Sequence, residues 1–402
     1  MWRKEALLAL VDMKAMLRHA YEHGYAVGGF DVVDLAFVAG VMAAAERCQA
    51  PVILSLAESH FTHYDLETLM PAVEAAAKRA SVPVAIHLDH GASLDSAIHA
   101  IRLGCNGVMV DASEERLETN IARTRQVVQM AHGCGVPVEG ELGYVPGVEG
   151  EDALLHPGEI AYTEVDTAAD YVAQTGVDLL AVSIGTVHGR MQGRPELDFG
   201  RLQAINDALG LPLVIHGGTG LDEAQFRGLI ARGVAKINYY TALADAAASA
   251  VWTQGGANSY AHLFRRVSDA VADETERCIR LWGGAGRAAE LLSRCPAWEP
   301  VEHLITYNVQ HEDDTDVPAM IAEGRRVLAA VPGVRAVEAG QAVAIDQARY
   351  RYCWLVRFAS EAVIGSYRDH PLHTAFADGR FRPLAADRMS IDYRLFAADT
   401  HA

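Results

Sequence analysis

The residues best suited to do chemistry in this sequence are three imidazoles and a carboxylate: His90, His188, His216 and Asp89. Asp89 and His90 close the run Pro83-Val84-Ala85-Ile86-His87-Leu88, and Gly91 follows at once. His188 leaves the run 178–184 through Gly185-Thr186-Val187, and His216 ends the run 211–216 before Gly217-Gly218-Thr219. Three neutral histidines on separate strands, with one position left open, form a catalytic zinc arrangement. A metal held there polarises a carbonyl as a Lewis acid. The chain has 17 histidines, so any one alone reads as an ordinary hydrogen-bonded ring. Three at equivalent strand ends, each followed by the glycine that close backbone approach requires, favour the metal.

Such a cluster needs a scaffold that brings strand ends together. Apolar runs recur at 25–30, 51–56, 83–89, 107–110, 137–142, 178–184, 211–216 and 234–238. Helical periodicity fills the gaps at 34–48, 66–80, 93–103, 116–132, 166–175, 199–208 and 222–232. A helix is expected over 3–23 and a long one over 259–281. Eight βα repeats in roughly 250 residues match a (β/α)8 TIM barrel. A doubly wound sheet would need a GxGxxG first turn, which 28–33 lacks. Each run turns polar only at its last residues, so the polar groups are expected to share the barrel mouth.

Composition narrows the class. A formal charge of -18 argues against nucleic acid as a partner. The six cysteines form no CxxC pair and read as reduced thiols. No apolar run reaches membrane-spanning length. The expectation is a soluble, cytoplasmic protein of two domains.

The segments HLDHGASLD (87–95), EGELGYVPGVEGED (139–152), SIGTVHGRMQGRPELDF (183–199), VIHGGTGLD (214–222) and KINYYTAL (236–243) resemble the class II, zinc-dependent ketose-bisphosphate aldolases. The likeness runs through about residue 290, over an expected domain 1–288. It implies zinc on His90, His188 and His216, with Asp89 as the acid/base. It implies that Asp111 and Glu141 can hold a second or displaced cation, divalent or monovalent. Glu149, in the long loop 143–160, matches the glutamate that moves the proton at the enolising carbon. Gly189, Gly217, Gly218, Thr219, Asn238 and Thr241 match the cradle for the phosphate of dihydroxyacetone phosphate. Arg287, in GGAGR, is the candidate for a distal phosphate, with Arg190 and Arg194 as rivals.

The chemistry agrees with these roles. Cleaving a ketose between C3 and C4 leaves carbanion character beside the C2 carbonyl, and a carboxylate next to the metal can take the C4 hydroxyl proton. A Schiff-base aldolase would need a barrel lysine; Lys236 is the one lysine on a strand, and reads better as a buried or phosphate-facing cation. The implied substrate is a phosphorylated ketose, such as fructose or tagatose 1,6-bisphosphate. A phosphorylated sugar-acid or deoxy-sugar is the alternative, and a non-catalytic binding protein on this scaffold is the rival class. Asp31 and the 55–60 stretch depart from the family pattern, which leaves the aldehyde half of the site open.

After a linker at 289–300, residues 301–402 read as strand, helix, two strands, helix and a late strand, a ferredoxin-like α+β order. VEHLITYNV (301–309), VPGVRAVEAGQAV (331–343) and SYRDHPLHTAF (366–376) resemble the stress-responsive dimeric α/β-barrel (Dabb) domains. That likeness implies a homodimer or higher homo-oligomer; a ligand pocket at His303 and His373 is the sharper alternative.

Overall fold

In the computed structural model, which describes residues 8–147, 160–190, 196–252, 259–310 and 316–395, the chain divides into two compact units. One is Met1–Ala97, Cys105–Val128 and Pro137–Ala297; the other is Ile98–Gly104, Gln129–Val136 and Trp298–Ala402. The division after Ala297 falls inside the stretch expected as a linker.

The first unit holds eight parallel strands: β1 (Val27–Asp31), β2 (Val52–Ala57), β3 (Val84–Gly91), β4 (Gly107–Val110), β5 (Val138–Leu142), β6 (Leu179–Val182), β7 (Leu213–Ile215) and β8 (Val234–Tyr239). Each pairs with the next and β8 pairs with β1, so the barrel closes and leaves no open edge. The strands are buried on both faces, which is why they read as continuous apolar runs. Acidic N-caps start several of the intervening helices: Asp34, Asp65, Asp198 and Asp222 each accept a backbone N–H from the first turn.

Two expectations change. Residues 8–12 do not continue the first helix. Leu10 bridges Val84 and Val11 bridges Ala297, and the helix begins only at Met13, capped by Asp12. Residues 289–300 are not bare chain either. A helix spans Ala288–Arg294, and its Leu291 is buried with Met13, Met16, Leu17 and Ile53 where the strands begin. The amino-terminal end of the barrel is therefore sealed by apolar packing.

The second unit carries β9 (Val301–Val309), β10 (Val334–Gln341), β11 (Tyr352–Phe358) and β12 (Ala385–Tyr393) in the antiparallel order β10-β11-β9-β12. Helices Val317–Leu328, Val363–Asp369 and Pro371–Phe376 join them. Tyr307 and Trp354 face these helices, packing edge-on against Phe381 and Phe376. The alternate residues Leu304, Leu355 and Ile391 meet in register on the other face.

Candidate active site

Side chains alternate along a strand, so residues two apart share a face. In three strands this places polar pairs inside the barrel: His87 and Asp89 on β3, Glu139 and Glu141 on β5, Lys236 and Asn238 on β8. All six are buried. The Lys236 ammonium donates to Glu139 Oε2 at 2.7 Å and to Asn238 Oδ1 at 2.6 Å. Asn238 Nδ2 in turn donates to both oxygens of Asp89, at 2.7 and 2.9 Å. A chain of donors thus runs from β8 to β3 and fixes the Asp89 carboxylate. Lys236 is committed to this network, as a buried cation.

His90 follows Asp89 directly, and in a regular strand it would point out of the barrel. Its backbone has φ of +47°, and the β3–β4 register shifts between Leu88 and Gly91. This local kink turns the ring into the mouth, a known use of strand irregularities beside active sites. There it meets His216 and His188, with ring centroids 4.7 and 5.1 Å away. His188 and His216 are 5.5 Å apart, and one ligand nitrogen from each of the three lies within 4.8 Å of the others.

Each ring is oriented through its far nitrogen. His90 Nδ1 donates to Asp111 Oδ2 at 2.7 Å, His188 Nδ1 to the Val145 carbonyl at 3.1 Å, and His216 Nε2 to Glu139 Oε1 at 3.0 Å. Oxygen acceptors behind ligating imidazoles set the tautomer that leaves a lone pair for a metal. His216 Nδ1 is buried and makes no hydrogen bond, as does Glu141 Oε2, 3.3 Å from it. These donors fit a divalent cation. His90, Asp111 and Glu141 form an overlapping group that could hold a cation in a second position.

Burial alone would raise the Asp89 carboxyl, but the charges of His90, Lys236 and His216 hold it well below the usual carboxylate range. For His90, Asp89 and Asp111 outweigh burial and lift the imidazole well above its ordinary value. Burial, with His90 and His216 beside it, pushes His188 down to about 3. Glu141 is pushed up to about 7 by burial and by the charge of Asp111. Two carboxylates in one mouth thus have opposite tendencies. Asp89 is kept ionised, while Glu141 is easily protonated.

Loops after β6, β7 and β8 meet beside the imidazoles. Gly217 has φ of +70°, and a Cβ there would collide with the Val187 carbonyl, so only glycine fits. Thr219 Oγ1 accepts from Ala242 N at 3.3 Å, tying the β7 loop to the first turn of helix Thr241–Trp252. Gly189, at φ of +78°, follows His188 directly, and Gly218 packs on Ile237 and Tyr239. A helix N-terminus flanked by glycine loops suits an anion. The Asn238 side chain, expected in this cradle, is turned to Asp89 instead. Arg287 is not at the mouth. It lies over the Tyr25 ring at 5.1 Å and 3.6 Å from Glu290, where the strands begin. Glu149 and Arg194 lie outside the described residues. Asp31 ends β1, buried and in register with Ser55.

Residue type alone gives Glu139 no role, although its i, i+2 spacing with Glu141 is the available signal; Lys236 is a buried cation, as its strand position predicts.

Residues 11–287 match the family model "Fructose-bisphosphate aldolase class-II", and residues 301–395 match "Stress responsive A/B Barrel Domain". A Bacillus subtilis (strain 168) protein described as a probable fructose-bisphosphate aldolase is 42% identical over 247 residues, 61% of this chain and 86% of that protein. The fructose-bisphosphate aldolase of Staphylococcus aureus (strain N315) is 41% identical over 247 residues, 61% of this chain and 85% of its own length. The crystal structure of the YdjI aldolase from Escherichia coli K12 is similar with a TM-score of 0.64 and 35% identity, covering 69% of this chain and 99% of that one.

Proposed function

The chain belongs to the class-II fructose-bisphosphate aldolase family and carries a stress responsive A/B barrel (Dabb) domain after the barrel, and on that premise we propose that it cleaves a phosphorylated ketose, reversibly and with zinc, to dihydroxyacetone phosphate and an aldehyde. The observation that supports this reading best is the meeting of His90, His188 and His216 beside an Asp89 carboxylate held by Asn238. Zinc bound by the three imidazoles supplies a Lewis acid for the substrate carbonyl. Asp89 takes the C4 hydroxyl proton in cleavage and returns it in condensation. Asn238 keeps that carboxylate aimed, and Lys236 balances Glu139 beneath it. The loops at Gly189, Gly217–Thr219 and Thr241 hold the phosphate through amides and hydroxyls, binding an anion without adding net charge. We assign Glu149 the proton at the enolising carbon, by the matching sequence alone.

The relatives named fructose-bisphosphate aldolase make a ketose bisphosphate the first substrate to assay. The test is condensation of dihydroxyacetone phosphate with a panel of aldehydes. Activity should vanish with a chelator and return with zinc. Activity that survives exhaustive chelation, or is destroyed by borohydride plus substrate, would overturn the zinc reading in favour of a lysine adduct. For the second unit we propose self-association through the sheet face bearing Leu304, Leu355 and Ile391. Dabb domains are typically dimeric, which supports it.

A further inference from the structure

At the end where the strands begin, helix Met13–His23 carries two histidines on one face, His19 and His23, at i and i+4. Their rings stack with centroids 3.9 Å apart. Each ring has its Nδ1 against an oxygen. His19 Nδ1 meets the Tyr25 hydroxyl at 2.9 Å, and His23 Nδ1 donates to the His19 carbonyl at 2.8 Å. That leaves the two Nε2 atoms as the available donors. His19 is only 6% exposed, and its Nε2 is buried without a hydrogen bond. It faces Glu290 Oε1 at 3.3 Å, on helix Ala288–Arg294. One ligand atom from each of His19, His23 and Glu290 lies within 4.8 Å of the others.

We propose that His19, His23 and Glu290 form a second metal site, for a divalent cation that favours imidazole, such as zinc, nickel or copper. The site is separate from the three imidazoles at the mouth and does not rest on the aldolase reading. Oxygen partners at both Nδ1 atoms fix the ring orientations, as they do behind ligating histidines generally. Two imidazoles and a carboxylate suit these metals, with water completing the shell. Glu290 also meets Arg294 at 3.3 Å and Arg287 at 3.6 Å. The Arg294 side chain is exposed, so it can turn into solvent when a cation takes the carboxylate. The bound ion clamps helix Met13–His23, which precedes β1, to helix Ala288–Arg294, which follows the barrel. Because the unfolded chain does not hold these three donors together, the ion stabilises the barrel.

The experiment dialyses the full chain against graded free zinc and counts bound metal per chain by elemental analysis. His23→Gln and Glu290→Gln are the variants, because His23 is exposed and Glu290 is half-buried at a helix surface. Thermal melts without added zinc check that both still fold. The expected result is a further equivalent of zinc in the wild type, beyond the metal at the mouth, that is missing from both variants. Neither substitution should change metal binding at the mouth. Excess zinc should also raise the wild-type Tm above any rise in the variants. A wild type that takes up no further equivalent overturns the proposal. So does a further equivalent that persists in either variant, or a Tm rise that the variants share. An equivalent kept by both variants and lost in Glu141→Gln belongs to the mouth, and overturns it likewise.

Discussion

Asp89 is fully buried yet held ionised, and that tension defines the residue scale. Asn238 contacts both of its oxygens, so Asp89→Asn preserves the volume but loses the proton acceptor. Turnover should fall by about 10²–10⁴-fold with zinc content unchanged, measured by single-turnover assay beside elemental analysis. Lys236 and Glu139 are each buried against the other. Lys236→Met would strand the Glu139 charge and destabilise the barrel by about 3–5 kcal/mol, visible in chemical denaturation. The proposed metal ligands predict a pH dependence of definite sign. His90 and His216 are both raised above the ordinary imidazole value when no metal is present. A cation must therefore displace their protons, so zinc affinity should rise from about pH 6 to 8 with protons released. Calorimetry in buffers of different ionisation enthalpy reads that release directly; proton uptake would contradict the assignment.

Among the elements, β3 does the most unusual work. A regular strand would send His90 away from Asp89, and the kink at Leu88–Gly91 puts both at one mouth. Gly91 belongs to the same device, since a Cβ there would meet the Met109 carbonyl at 2.5 Å. The β7 loop makes a comparable demand. Gly217→Ala forces a side chain into the left-handed region and against Val187, at a cost of about 1–3 kcal/mol. The expected outcome is a lowered Tm together with a raised KM for dihydroxyacetone phosphate, because the proposed phosphate cradle is built on that loop. An unchanged KM would separate the loop from phosphate binding.

At the scale of the whole molecule, a metal-dependent aldolase barrel is joined to a four-stranded antiparallel unit whose helix-free face bears Leu304, Leu355 and Ile391. Cross-strand apolar neighbours on an open sheet face favour pairing with another sheet. Leu304→Glu should lower the sedimentation mass toward that of the single chain, and deletion of 300–402 should do the same. A mass unchanged by both would place self-association elsewhere.

Much of this was legible in the residues themselves. Period and length marked the eight strands, because a parallel strand buried on both faces is mostly apolar, with barrel-facing His87, Glu139 and Lys236 as polar exceptions. The histidines and Asp89 stood out for the same reason, as polar groups at the ends of apolar runs. Local pattern could not reveal which polar groups serve one another. Asn238 reads as a phosphate ligand beside Thr241, but closure of the barrel sets it against Asp89, 149 residues away. Arg287 reads as a site residue by motif, and tertiary packing carries it to the opposite end. Strand identity follows from side-chain burial, which each residue records for itself. Partnership across a closed barrel depends on register and on kinks such as that at His90, which only the assembled fold decides.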